Sequence, residues 1–525
     1  MDKHPSPPLN GAESLVATLA ASGVELCFAN PGTSEMHFVA ALDRRDGPRC
    51  VLALFEGVAT AAADGYWRMA GKPAATLLHL GPGLGNGLAN LHNARKARSG
   101  LVNIVGDHAL DHARLESPLK GEAEAIARTV SHWVRSSTSA ADVGADGAAA
   151  LQATRDGAVG RIATLLLPAD TAWGVGGRAA VAPSPLPPQA PTGAVAEAAR
   201  LLTRLGPRAL LLLGAGGAAS VQAQHLAAAI AERTGCRLMA EFYNARMPGG
   251  RGRPRIERLP YNVDAAQARL AGLEALVLAG SVEPIAFFAY PGKPSQLKPP
   301  GAALLSLAEP RHDVTPVLQA LAHELGATAA AAPFVLAPPD AAIPIGPLTP
   351  DTLAAVVAAT LPADAVVVDE SVSSGRGLGG PMAAAAPHDW LAVMGGAIGF
   401  GLPGAVGASL GAPGRPVLVL EGDGSAMYTV QALWTMARES LPIVVLILAN
   451  RAYRILQAEL QGVGARLSGD KAAAMLSLDG PALDWVALAR GHGLPATRVD
   501  SAEGLARALR EGFASNGPCL IEALL

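Results

Sequence analysis

The chain has 525 residues, of which half are hydrophobic and 16% charged, with a formal net charge of −3. Such a length accommodates about three domains of roughly 100–200 residues and several buried cores. Near-neutral charge and an aromatic content of 4% argue against a basic, base-stacking surface, so neither a nucleic-acid nor an anionic-membrane partner is expected.

The opening stretch MDKHPSPPLN lacks the apolar core of a signal peptide, and Pro442–Ala449 is too short to cross a bilayer. Cys27, Cys50, Cys236 and Cys519 are scattered and form no CxxC pair. A reducing, cytoplasmic setting is therefore expected rather than a disulfide framework or zinc site.

In chain order, Phe28–Glu35 (FANPGTSE) is a turn bearing proline and glycine after a short strand. Val51–Phe55 is a strand candidate that ends at Glu56, and an alanine-rich helix follows through Asp64, Gly65 and Tyr66. A carboxylate flanked by Phe55 and Val58 is poorly solvated, which raises its pKa and equips it for proton transfer near neutral pH. The plainer alternative is a Glu that stabilises a helix N-terminus. Leu78–Asn86 (LHLGPGLGN) reads as a second glycine-rich loop. After the strand Leu101–Val105 come Asp107, His108 and His112; with no third convergent ligand, the two histidines read as part of a polar surface loop.

Proline-rich stretches at Ala182–Gly193 and Ala332–Pro350 read as linkers, because proline continues neither a helix nor a central strand. Between them, the strands Ala209–Leu213 and Ala275–Leu278 bracket the turn GAGGAA at 214–219. That turn lacks the full GxGxxG pattern and is expected to be a plain Rossmann-like turn. Beyond the second linker come Ala365–Val368, Val417–Leu420 and Ile443–Leu448. Aliphatic runs alternating with amphipathic stretches predict an α/β protein of three doubly wound parallel-sheet domains, at 1–181, 194–331 and 350–525.

In such folds ligands sit beyond the carboxyl ends of strands. The run VLVLEGDGSAMY is therefore the most informative segment. Gly422 and Gly424 allow close backbone approach, and Ser425 with a helix N-terminus offers donors to an anion. The following helix is expected to bury Met427, Val430, Leu433 and Trp434 on one face. Asp423 supplies a hard oxygen for Mg²⁺, and Asn450 and the carbonyl of Ala452 are placed to add two more. A metal held this way bridges to diphosphate oxygens.

GDG, 25 intervening residues and Asn450 resemble the thiamine-diphosphate-binding motif of enzymes such as acetolactate synthase and benzoylformate decarboxylase. One departure is Ala449-Asn450, where the family often has Asn-Asn. FEGVATAAADGYWRMAGKPA resembles the catalytic-glutamate region of the same family, with Glu56 at the glutamate position. The resemblance runs from about Ala12 to about Ala523.

It implies thiamine diphosphate and Mg²⁺ as cofactors, with Asp423, Asn450 and Ala452 on the metal. It places Pro31, Glu56, Asn86, Val372, Ser373, Gly396, Ile398, Gly422, Gly424, Ser425 and Tyr453 on the organic cofactor. Glu56 would bond the pyrimidine ring, and Ile398 would wedge the two cofactor rings into a bent conformation. His79 and Thr33 match positions that touch substrate. The implied reaction is decarboxylation of a 2-oxo acid, the enamine passing to a carbonyl acceptor as in acetolactate synthase. The alternative is protonation, as in an aromatic decarboxylase of the benzoylformate type. A non-catalytic paralogue is a remoter reading, since fold alone does not fix function. Met247–Tyr261 does not match the flavin stretch of true acetolactate synthases, so FAD is not expected. Phe287–Gly292 has no counterpart of the second histidine of benzoylformate decarboxylase. The resemblance also implies a homodimer or homotetramer with active sites at subunit interfaces.

Overall fold

The computed structural model describes residues 8–183, 188, 193–327, 343–465 and 469–525, and most of both proline-rich stretches lies outside them. The first sheet is built from β1 (Leu26–Ala29), β2 (Arg49–Leu52), β3 (Ala74–His79), β4 (Leu101–Asp107), β5 (Trp133–Ser136) and β6 (Ile162–Pro168). Its order is β2-β1-β3-β4-β6-β5 and every pairing is parallel. Helices α1 (Glu56–Ala70) and α2 (Leu80–Ala97) follow β2 and β3.

The second sheet takes β7 (Ala209–Leu213), β8 (Arg237–Ala240), β10 (Glu257–Arg258), β11 (Ala275–Ala279) and β12 (Ala303–Ala308) in the order β10-β8-β7-β11-β12, all parallel. The short β9 (Met247–Gly249) leaves this segment and pairs antiparallel with β14 (His388–Ala392) of the third sheet. The third sheet also holds β13 (Ala365–Glu370), β15 (Val417–Gly422), β16 (Ile443–Ala449), β17 (Ala496–Val499) and β18 (Cys519–Leu524). Its order is β9-β14-β13-β15-β16-β18-β17. Helix α3 (Gly401–Gly411) precedes β15; α4 (Asp423–Ala426) and α5 (Ala432–Arg438) lie between β15 and β16, and α6 (Arg454–Gly462) follows β16. No helix among the described residues is long and apolar enough to cross a membrane.

Side chains alternate across a strand, and here both faces are buried. In the third sheet Val366, Val368, Val417, Val419, Ile443 and Val445 enter one core, and Val367, Leu418, Leu420, Val444 and Leu446 enter another. The former core is continuous with the first sheet through Phe28, Val51 and the alanines of α1, so those two layers fold around shared apolar material.

Three expectations need correction. The strand predicted at Val51–Phe55 ends at Leu52, and Phe55 is instead the extended residue that caps α1. Leu78–Asn86 is not a loop: β3 runs to His79 and α2 starts at Leu80. Gly83 within it and Gly87 just after it serve close packing on α1: a Cβ on Gly83 would stand 2.8 Å from Glu56 Oε1, and one on Gly87 2.9 Å from Thr60. The helix after GDGS is broken into α4 and α5. The Thr429 hydroxyl bonds the Gly399 carbonyl between the pieces, and Met427 faces solvent while Leu433 is buried.

Helix α1 meets α3 backbone to backbone. A Cβ on Gly65 would lie 2.1 Å from the Gly404 carbonyl oxygen, and one on Gly407 would lie 1.8 Å from that of Ala62. One turn on, Arg68 grips Asp64 through two bonds of 2.8 and 2.6 Å. It also donates to the Ala392 carbonyl at 2.6 Å and stacks over Phe400 at 4.1 Å. Both charges are almost wholly buried, so losing one partner strands the other in low dielectric. Arg68→Ala should lower unfolding free energy by about 3–5 kcal/mol, and Gly407→Ala by about 1–3 kcal/mol. Denaturant titration checks both; wild-type midpoints would contradict this packing.

Candidate active site

Glu56 is the first residue of α1, is only 6% exposed, and accepts a bond from Asn86 Nδ2 at 3.0 Å. Gly83 clears the space beside it, since a Cβ there would meet Glu56 Oε1 at 2.8 Å. His79, the last residue of β3, leads into Leu80 at φ +52, a left-handed conformation unusual for leucine. The His79 ring lies against Gly32, where a Cβ would come within 2.2 Å of it.

The partner of His79 is Glu35, whose Oε2 is 2.9 Å from Nδ1. Glu35 also accepts from the Gly32 amide at 2.7 Å and from the Ser34 hydroxyl. Gly106 leaves room for it: a Cβ there would sit 1.8 Å from Glu35 Oε1. With Nδ1–H donated to Glu35, Nε2 keeps the ring's lone pair. Thr33 is exposed at the start of a single 3₁₀ turn, and Pro31 is half-buried just before it. Ser34, rather than Thr33, reaches His79, at 3.2 Å.

A second group of residues gathers at the carboxyl ends of β13, β15 and β16. Asp423 is 4% exposed; its Oδ1 accepts from the Gly424 amide at 2.9 Å and its Oδ2 from the Arg451 amide at 2.6 Å. Asn450 follows β16; its Nδ2 donates to Ser374 Oγ at 2.9 Å and its Oδ1 accepts from the Ala452 amide at 3.0 Å. Arg451, between them, takes φ +55. Val372 takes φ +48, a left-handed conformation that strains a β-branched residue. Ser373 is next to it, half-buried. A Cβ at Gly424 would run into the Tyr453 ring at 2.5 Å, and one at Gly422 would touch Ser425 Oγ at 3.1 Å.

These residues fit a divalent cation and a diphosphate. Asp423 and Asn450 are hard oxygen donors just past the ends of neighbouring parallel strands, and glycines 422 and 424 leave a cradle that side chains would fill. Burial raises the Asp423 carboxyl above its ordinary range, a cost that a bound cation would offset.

The loop from Val393 to Phe400 holds Gly396 at φ +71, half-buried Ile398, and Gly399 at φ +109. Asn90 of α2 donates at 3.0 Å to the Gly57 carbonyl and to the Gly399 carbonyl. Asn93 adds a bond to the Ala397 carbonyl at 2.7 Å. Beneath the loop, Glu370 accepts from the Gly399 and Gly401 amides at 3.0 and 2.8 Å, and burial pushes its carboxyl up to about 7. Its register partner Glu421 is 0% exposed, with both carboxyl oxygens unpartnered among the described residues. No hydrogen bond among the described residues joins Glu56 directly to Asp423.

The description "Thiamine pyrophosphate enzyme, N-terminal TPP binding domain" matches residues 9–128, and the corresponding C-terminal domain matches residues 380–523. The chain is 50% identical over 522 residues, 98% of its length and 99% of the relative's, to the "Putative acetolactate synthase large subunit IlvX" of Mycobacterium tuberculosis. The chain belongs to the thiamine-pyrophosphate enzyme family. It is 31% identical to the benzoylformate decarboxylase of Pseudomonas aeruginosa, over 95% of this chain and 96% of that one. Among solved structures it is similar to the thiamine diphosphate-dependent 4-hydroxybenzoylformate decarboxylase of Rhodococcus jostii RHA1. That likeness has a TM-score of 0.83 and 27% identity, over 98% of both chains.

This thiamine-pyrophosphate enzyme, of the lyase or transferase class, is thus related to both acetolactate synthase and benzoylformate decarboxylase. Sequence reading passed over Glu35, Ser34, Glu370 and Glu421 as site residues. The acids left a signal: Glu370 and Glu421 are charges at aligned ends of otherwise aliphatic runs, where a polar residue needs a reason. Glu35 left none, because its contact with His79 spans 44 positions.

Glu35 is the one acceptor shared by an amide, a hydroxyl and an imidazole. Glu35→Leu should cost about 1–3 kcal/mol for each buried donor left unpaired, and Glu35→Gln, which keeps one acceptor, should cost less. Thermal melting of both variants checks the order; equal midpoints would refute the shared-acceptor role.

Proposed function

We propose that this enzyme decarboxylates a 2-oxo acid and joins the remaining fragment to a carbonyl acceptor, with thiamine diphosphate held through Mg²⁺. The observation that carries this reading is that an end-to-end relative named as an acetolactate synthase large subunit coincides with a buried Glu56 and a two-oxygen clamp at Asp423 and Asn450. Bound thiamine diphosphate would supply the electron sink that decarboxylation requires. Asp423, Asn450 and the Ala452 carbonyl would hold the cation. Gly422, Gly424, Ser425, Val372, Ser373 and Tyr453 would line the diphosphate.

Glu56, desolvated and oriented by Asn86, would hold the proton at the pyrimidine end, with Pro31 close by. The Gly396 carbonyl and the Ile398 side chain would face the ring system. His79, oriented by Glu35, would present Nε2 to the substrate as acid or base, with Thr33 alongside. In this reading residues 1–181, 194–331 and 350–525 are the pyrimidine-binding, middle and diphosphate-binding domains.

Leu54, just before Glu56, and Met427 and Tyr428, just after Asp423, are exposed apolar side chains. Their placement supports a homodimer or homotetramer that buries the two half-sites against one another. At the Rossmann-like turn, a Cβ on Gly214 would meet the Glu241 carboxyl at 2.7 Å.

A second reading, an aromatic 2-oxo acid decarboxylase, is favoured by Phe287. Its ring lies 2.8 Å from where a Cβ on Gly396 would stand and packs against Tyr243, Tyr261 and Phe288. Pyruvate and benzoylformate assayed side by side separate the two. Acetolactate formed from pyruvate is expected; benzaldehyde from benzoylformate with no carbon–carbon product would select the second reading.

Asp423→Ala should weaken binding of thiamine diphosphate with Mg²⁺ by about tenfold or more, read by calorimetry. Undiminished affinity would remove Asp423 from the cation site. Glu56→Gln should retain cofactor and lose turnover by about 100-fold or more; full activity would exclude Glu56 from the chemistry.

A further inference from the structure

The four cysteines are far apart in the sequence, and the fold brings two of them together. Cys27 on β1 and Cys50 on β2 are register partners in a parallel pairing, so their side chains leave the same face of the sheet. Both enter the core that also holds Leu19, Phe38 and Ala75, Cys27 wholly buried and Cys50 half-buried at its margin. Neighbouring strands lie about 4.8 Å apart, inside the roughly 4.4–6.8 Å over which two α-carbons admit a disulfide. β2 is the edge strand of its sheet and pairs with β1 alone, so it can adjust to a bridge without breaking a second ladder.

The two thiols are not equivalent. A hydrogen bond from the Cys27 thiol holds Cys50 below the ordinary thiol range, while the same contact and full burial push Cys27 well above it. Burial raises Cys236 and pushes Cys519 up to about 11. Cys50 is thus the cysteine whose surroundings favour the thiolate, and it is the member of the pair that solvent reaches. We propose that Cys50 and Cys27 form a reversible redox site, in which a hydroperoxide oxidises Cys50 and Cys27 resolves it as an intramolecular disulfide. The Cys50 sulfur attacks the peroxide and the O–O bond breaks. Cys50 becomes a sulfenic acid, and the other oxygen leaves as water or an alcohol with the proton that Cys50 gave up. The Cys27 sulfur then displaces the sulfenic hydroxyl, an S–S bond forms, and the hydroxyl leaves as water with the Cys27 proton. The two thiols lose two electrons and the peroxide gains them; a dithiol reductant reverses the bridge. The bridge joins β1, which runs into the Pro31–Glu35 turn, to β2 at a point six residues before Glu56.

The test is mass spectrometry of the full-length protein after brief treatment with hydrogen peroxide, with peptides mapped without reductant. The wild type should lose the mass of two hydrogens, join the peptides that hold Cys27 and Cys50, and revert with dithiothreitol. Cys27→Ala should stop at the sulfenic acid of Cys50, which dimedone traps. Cys50→Ser should leave Cys27 unoxidised, since a buried thiol is inert. On the untreated wild type, iodoacetamide should label Cys50 at least about tenfold faster than the other three cysteines. Should Cys27→Ala fold poorly, Cys50→Ser and the wild-type labelling carry the test. Cys27 and Cys50 left unlinked, or linked to another cysteine or a second chain, overturn the proposal. So does Cys27 oxidised as fast in Cys50→Ser as in the wild type, or labelling that favours a cysteine other than Cys50. None of these readouts uses substrate or thiamine diphosphate, so their failure leaves the proposed reaction untouched.

Discussion

The contact on which the rest depends is the bare-backbone crossing of α1 and α3, locked by the buried Asp64–Arg68 pair. Gly65, Gly404 and Gly407 let the helix axes approach more closely than any side chain permits. Arg68 then spends its remaining donors on the Ala392 carbonyl, at the end of β14. The N-terminal residue of α1 is Glu56, and the loop before α3 holds Gly396, Ile398 and Gly399. One crossing therefore sets the position of Glu56 relative to that loop within the chain. A core shared by the two sheets makes that position a property of the whole fold rather than of a local turn.

Electrostatics at the carboxyl edge of the third sheet follow from where charges are forced to lie. Glu370 is tolerated in a buried strand because two amides of the Gly399–Gly401 turn point at it. That bonding is also what shapes the loop above. Glu421 has no such partner, and burial with the neighbouring Glu370 charge raises its carboxyl well above the ordinary range. Asp423 lies two residues further along, where backbone amides approach from β16. Glu370 and Glu421 thus lie at the ends of neighbouring strands, with Asp423 just beyond them. An edge so rich in buried oxygen is suited to a cation, whose charge relieves the same desolvation that the fold imposes.

The middle segment has a different character. Its sheet ends at a turn crowded by the half-buried Glu241, while its arginines line the side that meets the third sheet through the strand exchange of β9. Pairing β9 with β14 is what brings Arg253 and Arg376 to one cavity.

The amino-acid order by itself determined the α/β class, the parallel strands and the two motifs, since these rest on local quantities: aliphatic runs, glycines at strand ends, a carboxylate at a fixed offset. Ala209–Leu213 matches its strand end to end, and Leu101–Val105, Ala275–Leu278, Ala365–Val368, Val417–Leu420 and Ile443–Leu448 each extend by one or two residues at the carboxyl end, such as Glu370 and Gly422. What the order did not reveal was non-local. Leu80–Gly85 is helix rather than loop in a segment that packs on α1 through Gly83 and Gly87. The break between α4 and α5 is stabilised by the Gly399 carbonyl, 30 positions from Thr429. Glu35 became the partner of His79, and Cys50 the neighbour of Cys27, only once distant strands were paired. A charge has no function until folding sets what stands opposite it, and that distance is written in tertiary contacts alone.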